Sequence, residues 1–263
     1  MVEQGHDPGG AQGPGGACAV REQREEAGLA SGLAELSQLV TGQLSLSVTL
    51  TRVAEFAVRA IPGADGAGLA LLRDGHVEAV VGSADFVRQV DDVQHGIAEG
   101  PCFTAAAEGR TVVSGSLGGD AAFPRFGPRV SHLGVHSALS VPLLSPDGPI
   151  GAINVYAHAR DAFDDRAVAF GQHYAAPAAV AVRNAHALAE ARGVATRLQQ
   201  ALHSRATIDQ AMGIVMSRTG ATAEEAFAGL RAISQREGRK LVVIAQSVVD
   251  DAVRRTRDRR DPD

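Results

Sequence analysis

The spacing of apolar positions changes period along the chain, and each change marks a change of element. Leu33, Leu36, Leu39 and Val40 fall at helical spacing from Gly32 onward, and Leu50 to Ile61 repeats that pattern before Pro62-Gly63 stops it. Short apolar runs follow at Ala67 to Arg73 and His76 to Gly82, flanking Asp74-Gly75, the strongest short hairpin cue. Thr111 to Ser114, Ser137 to Leu144 and Pro149 to Ala157 read as further strands, the last two joined by the turn Ser145-Pro-Asp-Gly148. Ala84 to Gln94, Gly100 to Gly109 and Phe123 to Leu133 are helical or irregular connections. A helical pattern resumes at Phe163 and runs to about Arg192. Three further amphipathic stretches cover Leu198 to Gly220, Ala221 to Gly238 and Arg239 to Val253. This order predicts an α+β sandwich, an antiparallel sheet flanked by helices, followed by an all-α three-helix unit.

Ahead of these elements, residues 1–30 combine G-H-D-P-G-G-A-Q-G-P-G-G-A with the charged run R-E-Q-R-E-E and read as a flexible arm. The 263 residues suit one ordinary domain plus a small one, and 45% hydrophobic content supports a packed core. No apolar run reaches membrane-spanning length, and a cytoplasmic location is expected. Charge is segregated: from residue 196 onward 12 Lys and Arg face 9 Asp and Glu, against 13 and 21 before it. The resulting +3 and −8 make up the total of −5, and suggest a nucleic-acid-binding end on an acidic body. The densest basic cluster is Arg254, Arg255, Arg257, Arg259 and Arg260.

Several chemistries drop out. Lys240 is the only lysine, and Arg239-Lys240-Leu241 is no phosphate loop. A phosphoacceptor site with its strand-end lysine has no lysine to use before residue 240. Cys18 and Cys102 form no C-x-x-C pair. His132 and His136 stand four apart, but Leu133 replaces the glutamate of H-E-x-x-H and Gly134 interrupts a helix, so no metal site is expected. Cys102 reads as a small buried residue rather than a redox sensor, since no nearby cysteine could resolve a sulfenic acid.

The C-terminal segment carries S-R-x-x-I-D-Q-A-x-G-I-x-M, A-E-E-A-F-x-x-L-R and K-L-x-x-I-A in order, and it resembles the ANTAR domain. That resemblance implies binding of RNA hairpins in nascent transcripts and control of transcription termination. The implied RNA-binding residues are Arg205, Gln210, Ala211, Gly213 and Arg218, then Ser234, Gln235 and Arg236, then Arg239, Lys240 and Gln246. They mix planar donors with small residues, as recognition of splayed loop bases requires. Met212 stands where many such sequences have lysine, and Gly238-Arg239 replaces an asparagine-containing turn.

Upstream, Gly100-Pro101-Cys102 followed by A-A-A-E-G-R-T-V-V, then G-V-H-S-A-L-S-V-P-L-L and I-G-A-I-N-V-Y-A, resemble a GAF domain. The implied organisation is a GAF sensor with flanking helices over 31–190, an ANTAR domain over 191–255 and a basic tail over 256–263. A pocket is expected between the sheet and the loops around 84–136, lined by Phe86, Cys102, Phe103, Phe123, Phe126, His132, His136 and Ser137. No cofactor is expected: a haem would need His95, His132 or His136 as an axial ligand, and nothing marks a porphyrin slot. A small-molecule ligand, or none, fits the residues equally. Ala122-Phe123-Pro124 replaces the Arg-Trp-Pro of many such chains, and this chain has no tryptophan.

Leu188, Val194, Leu198 and Leu202 could form a seam with a second copy, giving a parallel homodimer. Gly193 in that seam is either a hinge or a tolerated weak point. The expected whole is a non-enzymatic RNA-binding antitermination regulator. The alternatives are a DNA-binding regulator with the same input, and a dimeric signalling protein that binds no RNA.

Overall fold

The computed structural model describes residues 14–39, 44–73 and 76–260; the proposed arm before residue 14, Val40, the Asp74-Gly75 turn and the last three residues lie outside them. By internal contacts the chain divides into two compact units, one up to Ala189 and one from Glu190.

In the first unit, helices α1 (Pro14–Gln38) and α2 (Leu46–Ala60) lead into strands β1 (Gly66–Arg73) and β2 (His76–Gly82). Helices α3 (Asp85–Ile97) and α4 (Pro101–Glu108), strand β3 (Val112–Ser114), helix α5 (Phe126–Ser131) and strands β4 (Ser137–Ser145) and β5 (Gly148–Ala157) follow. The five strands form one antiparallel sheet in the order β2-β1-β5-β4-β3. Both faces are covered, so Ser137 to Leu143 of β4 and Gly151 to Ala157 of β5 are buried without alternation. That is why these two strands read as continuous apolar runs.

One face packs Leu69, Leu71, Leu139, Val141, Ile153 and Val155 against α1, α2 and the first part of α6 (Asp165–Thr219). Tyr174 is fully buried there, and its hydroxyl donates to the Val53 carbonyl of α2 at 2.7 Å. The other face carries Val87 and Val90 of α3, Ala105 of α4, and Leu117, Phe123, Phe126 and Val130, packed on Ala138 and Tyr156. Phe123 occupies this core without a tryptophan neighbour, edge-on to Phe126 at 6.4 Å between ring centres.

The structure corrects the first boundary. Helix α1 begins at Pro14, so residues 14–30 are helical where a flexible arm was expected. The reason is non-local. The Arg166 guanidinium on α6 lies 3.4, 3.0 and 3.7 Å from Glu22, Glu25 and Glu26 of α1. Gly28 and Gly32 let α1 approach α2, since a Cβ at Gly28 would stand 2.6 Å from the Arg59 carbonyl oxygen. Arg59 in turn pairs with Glu35.

The second unit comprises the end of α6, α7 (Ala223–Glu237) and α8 (Leu241–Arg260). Ala211, Leu230, Ile244 and Ala245 are its buried centre, ringed by Ile208, Met212, Val215, Ile233, Leu241, Val248 and Val249. Thr222 and Glu225 cap α7 reciprocally: the Glu225 N–H donates to the Thr222 hydroxyl at 3.3 Å, and the Thr222 N–H donates to the Glu225 carboxylate at 2.8 Å. Such a cap contributes about 1 kcal/mol. Gly238 closes α7 with φ of 62°. Helix α8 runs on to Arg260, so residues 256–260 are not a separate basic tail but its last turns.

Candidate functional site

Two places gather chemistry, one in each unit. In the second, an open groove of about 710 Å³ runs between α6 and α8. Gln210, Gly213, Ile214, Ser217 and Arg218 line it from α6, and Val249, Ala252 and Arg255 from α8. Neither Arg218 nor Arg255 has an ion-pair partner among the described residues. A Cβ built on Gly213 meets nothing within 4 Å, so packing does not require glycine there.

The expected RNA-binding residues separate on this geometry. Gln210, Gly213 and Arg218 line the groove. Ala211 does not: it is fully buried in the three-helix core, and its small side chain serves packing. Ser234 donates its hydroxyl proton to the Arg239 carbonyl at 2.6 Å and so ties the turn between α7 and α8. Arg239 sits 3.2 Å from Glu237, Gln246 donates to Asp250 at 2.8 Å, and Arg205 lies 4.0 Å from Asp209. Gln235, Arg236 and Lys240 are exposed outside the groove lining. The sequence reading missed Arg255 and Ser217. Arg255 was legible as the next member of the Val249-Ala252-Arg255 spacing, but it was grouped with the terminal arginines.

In the first unit, strand register places Gly68, Asn154 and Ser140 in one row across β1, β5 and β4, beneath α3. Ser140 donates to the Asn154 amide oxygen at 2.9 Å. The Asn154 amide nitrogen stands 3.4 Å from Asp91 Oδ1, which also accepts from the Tyr156 hydroxyl at 2.6 Å. Asp91 is fully buried, and its Oδ2 has no partner among the described residues. Only a glycine fits opposite, because a Cβ at Gly68 would lie 2.3 Å from that oxygen. One turn along, Gln94 Oε1 accepts the Cys102 N–H at 3.0 Å and so fixes the start of α4.

Beside this cluster is a cavity of about 340 Å³ lined by Leu72, Val77, His95, Cys102, Phe103, Ala106, Ala107 and Pro149. Among the described residues no group of three or more His, Cys, Asp or Glu could hold a metal ion, and no helix is long and apolar enough to cross a membrane.

Comparison with known proteins places both halves. The GAF-domain family model matches residues 43–183, more than half of the chain, and the ANTAR-domain model matches 196–249. The chain belongs to the GAF-domain family. An ANTAR domain follows the GAF domain, which is the architecture of a regulator. Solved structures similar to the GAF part include the GAF domain of a Coxiella burnetii phosphoenolpyruvate-protein phosphotransferase. It is 19% identical with a TM-score of 0.47, over 61% of this chain and 96% of that one. A putative GAF sensor protein from Burkholderia vietnamiensis is 20% identical with a TM-score of 0.43, over 63% and 98%. Type II free methionine-R-sulfoxide reductase from Thermoplasma acidophilum is 20% identical with a TM-score of 0.40, over 52% and 92%. No curated protein matches the chain.

The residues expected to line a pocket in the GAF domain fall in different places. Phe123 and Phe126 are core residues, and Phe86 packs at 4.8 Å against the His158 ring. Ser137 donates its hydroxyl to the Gly115 and Ala159 carbonyls, at 3.1 and 2.7 Å. His132 is exposed and His136 half-buried, with the left-handed turn at Gly134 between them, so they share no helix face. Of the eight expected residues only Cys102 and Phe103 line the cavity; His95 joins them from α3. Burial pushes the Cys102 thiol up to about 12, so it stays protonated at neutral pH.

Burial likewise raises the Asp91 carboxyl to about 7 from 3.8, against the lowering effect of the Tyr156 and Asn154 hydrogen bonds. An acid whose folded pKa is raised binds more protons folded than unfolded. Its contribution to stability is therefore most favourable below pH 3.8 and declines as pH rises to about 7, by about 4 kcal/mol in all. Asp91→Asn keeps an acceptor for Tyr156 and removes that titration. The expected result is that urea midpoints of variant and native chain agree near pH 4 and diverge, with the variant more stable, as pH approaches 7. Parallel curves would place Asp91 outside the titrating set.

Proposed function

We propose that this protein is an RNA-binding transcription antitermination regulator, non-enzymatic, in which the GAF domain senses a signal and the ANTAR domain holds hairpins in nascent transcripts. The observation that carries the RNA reading is the groove between α6 and α8, with Arg218 and Arg255, unpaired among the described residues, at its sides and the open space over Gly213. Ile214 and Val249 supply apolar surface for an unstacked loop base. Gln210 offers an amide able to read a base edge, and the two guanidinium groups suit flanking phosphates. Binding one RNA fold better than its alternative is enough to shift termination; no bond need be made or broken. The DNA-binding alternative would need base-reading side chains along the first turns of α8, where Leu241, Ile244 and Ala245 instead pack in or against the helical core.

Arg218→Ala combined with Arg255→Ala is expected to weaken stem-loop RNA binding by the full-length chain at least tenfold, measured by fluorescence anisotropy. Loss of two phosphate contacts should also flatten the log–log salt dependence by about 1.4. Arg205→Ala with Lys240→Ala, outside the groove lining, should have a smaller effect. The reverse ranking removes the groove as the contact surface, and equal competition by duplex DNA favours the DNA-binding reading.

Gly213→Ala separates function from stability. A helical alanine meeting no neighbour should stabilise the unit by roughly 0.5–1 kcal/mol relative to glycine, while its methyl group narrows the groove. Higher thermal stability together with weaker RNA binding is the expected pair of outcomes, read by calorimetry and anisotropy on the same sample.

The active form is proposed to be a homodimer. Val194, Leu198 and Leu202 on α6 are 56, 60 and 61% exposed, an apolar stripe at helical spacing that a second copy would cover. Leu198→Glu with Leu202→Glu is expected to convert a dimer to a monomer in sedimentation velocity. A monomer before substitution would remove the dimer from the scheme.

A further inference from the structure

We propose that the signal read by the GAF domain is the proton: Asp91, closed over the central strands with Tyr156, Asn154 and Ser140, is a switch whose neutral carboxyl seats α3 on the sheet and whose charged carboxylate releases it. This rests on the sensor reading of the GAF domain and deepens it by naming the signal.

Asp91 is fully buried, yet only one of its oxygens is used. Oδ1 accepts from the Tyr156 hydroxyl at 2.6 Å and stands 3.4 Å from the Asn154 amide nitrogen, while the Asn154 amide oxygen accepts from Ser140. Oδ2 has no partner among the described residues. A neutral carboxyl tolerates such a place; a charged one gives up the hydration of a whole oxygen with nothing in return.

The groups around it do not offset a charge. Tyr156 from β5 and Cys102 from α4 are held neutral by burial, and Asp92 from α3 itself repels an anion. His95, a turn further along α3, is pushed toward its neutral form by burial, and Arg88, a turn back, pairs with Asp85. Gly68 from β1 and Ser140 from β4 bring no ionisable side chain.

The moving part is the helix. β5 is paired along both edges, to β1 and β4, so Tyr156 and Asn154 are fixed by ladder hydrogen bonds. Helix α3 lies over them, and its N-cap Ala84 makes no side-chain hydrogen bond. A tilt that lets water reach Oδ2 costs part of the Val87 and Val90 packing. It also carries Gln94, which holds the start of α4 through the Cys102 N–H, so α4 loosens with α3.

Acid closes this switch. Seated, the carboxyl titrates at about 7; lifted into water it returns toward 3.8. Between those values the lifted form binds fewer protons, so each pH unit of acidification favours the seated form by about tenfold. Above about 7 both forms are ionised and the equilibrium levels off.

The test uses the full-length chain, whose two tyrosines and lack of tryptophan give a clean optical signal. Tyr174 donates to Val53 on the other face of the sheet, and burial keeps both phenols protonated. Tyrosine difference absorbance is expected to titrate near pH 7 in native protein and to stay flat in Asp91→Asn. Hydrogen exchange, corrected for its intrinsic pH dependence, should show α3 amides opening at least about tenfold more at pH 7.5 than at pH 5.5, ahead of the β4–β5 ladder. Asp91→Asn should hold α3 closed at both. Tyr156→Phe keeps the carboxyl but removes its donor, and should displace the exchange transition to higher pH, which lost packing alone would not do. Stem-loop RNA affinity should differ between the two pH values by a factor that Asp91→Asn removes. An absent optical titration, α3 amides that exchange only together with the ladder, or native and Asp91→Asn chains whose hairpin affinities share one pH dependence would each overturn the proposal. A chain that passes the optical and exchange tests but binds no hairpin at any pH sinks the output assignment and leaves the proton switch standing.

Discussion

A sheet covered on both faces leaves the polar side chains of its central strands no water, and most of the first unit follows from that constraint. Asn154, Tyr156 and Ser140 sit on β5 and β4 inside a dry layer, so their hydrogen bonds must close within the protein. Asp91 on α3 closes part of the set, and its own second oxygen bears the cost. Gly68 is the backbone expression of that arrangement, because any side chain there would strike the carboxylate. Gly100 plays the same part for Gln94, which a Cβ would meet at 2.1 Å, and Gln94 in turn pins the first turn of α4. Asp91 and Gln94, one turn apart on α3, therefore set the height of α3 over the sheet and the start of α4. The space left beside them is the cavity.

What the sequence disclosed, and what it withheld, divides along the same line between local and non-local causes. Hairpin cues, stop signals and unbroken apolar runs are local, and the strands from Gly66 to Ala157 stand close to where their spacing put them. Helix α1 was not legible before Gly32, because its charged first half is held by Arg166, some 140 positions away, and by glycines that read as flexible until their close neighbour is known. The residues expected to line a pocket separate for a related reason. Aromatic residues near loops suggest a lining, but whether they line a void or fill it depends on packing between elements distant in sequence. Phe123 and Phe126 fill it.

On α6 two small residues, Ala211 and Gly213, look interchangeable in the sequence and do opposite things. Ala211 is buried where α7 and α8 converge, and a larger side chain would force the three helices apart. Gly213 faces open space, at a position where alanine would favour the helix more. The first is accounted for by the fold; the second is not. The arginines sort the same way. Arg205 and Arg239 stand near carboxylates of their own neighbourhood, whereas Arg218 and Arg255 have no ion-pair partner among the described residues, so their charge is available to a polyanion.

On the proposed function, a signal read by the GAF domain and RNA held by the ANTAR domain act at different places, so coupling between them would not be competition. It would be a bias between two states of the chain. A tenfold change in RNA affinity requires a coupling free energy of about 1.4 kcal/mol. A single well-made hydrogen bond in a protein interior contributes on the order of 1 kcal/mol. One hydrogen bond that forms in one state and not in the other would thus supply nearly enough discrimination. The Gln94–Cys102 hydrogen bond is of that kind, since it joins α3 to the start of α4. On this view the sensor needs no large rearrangement: a shift of α4 that opens or closes one hydrogen bond is of the right size.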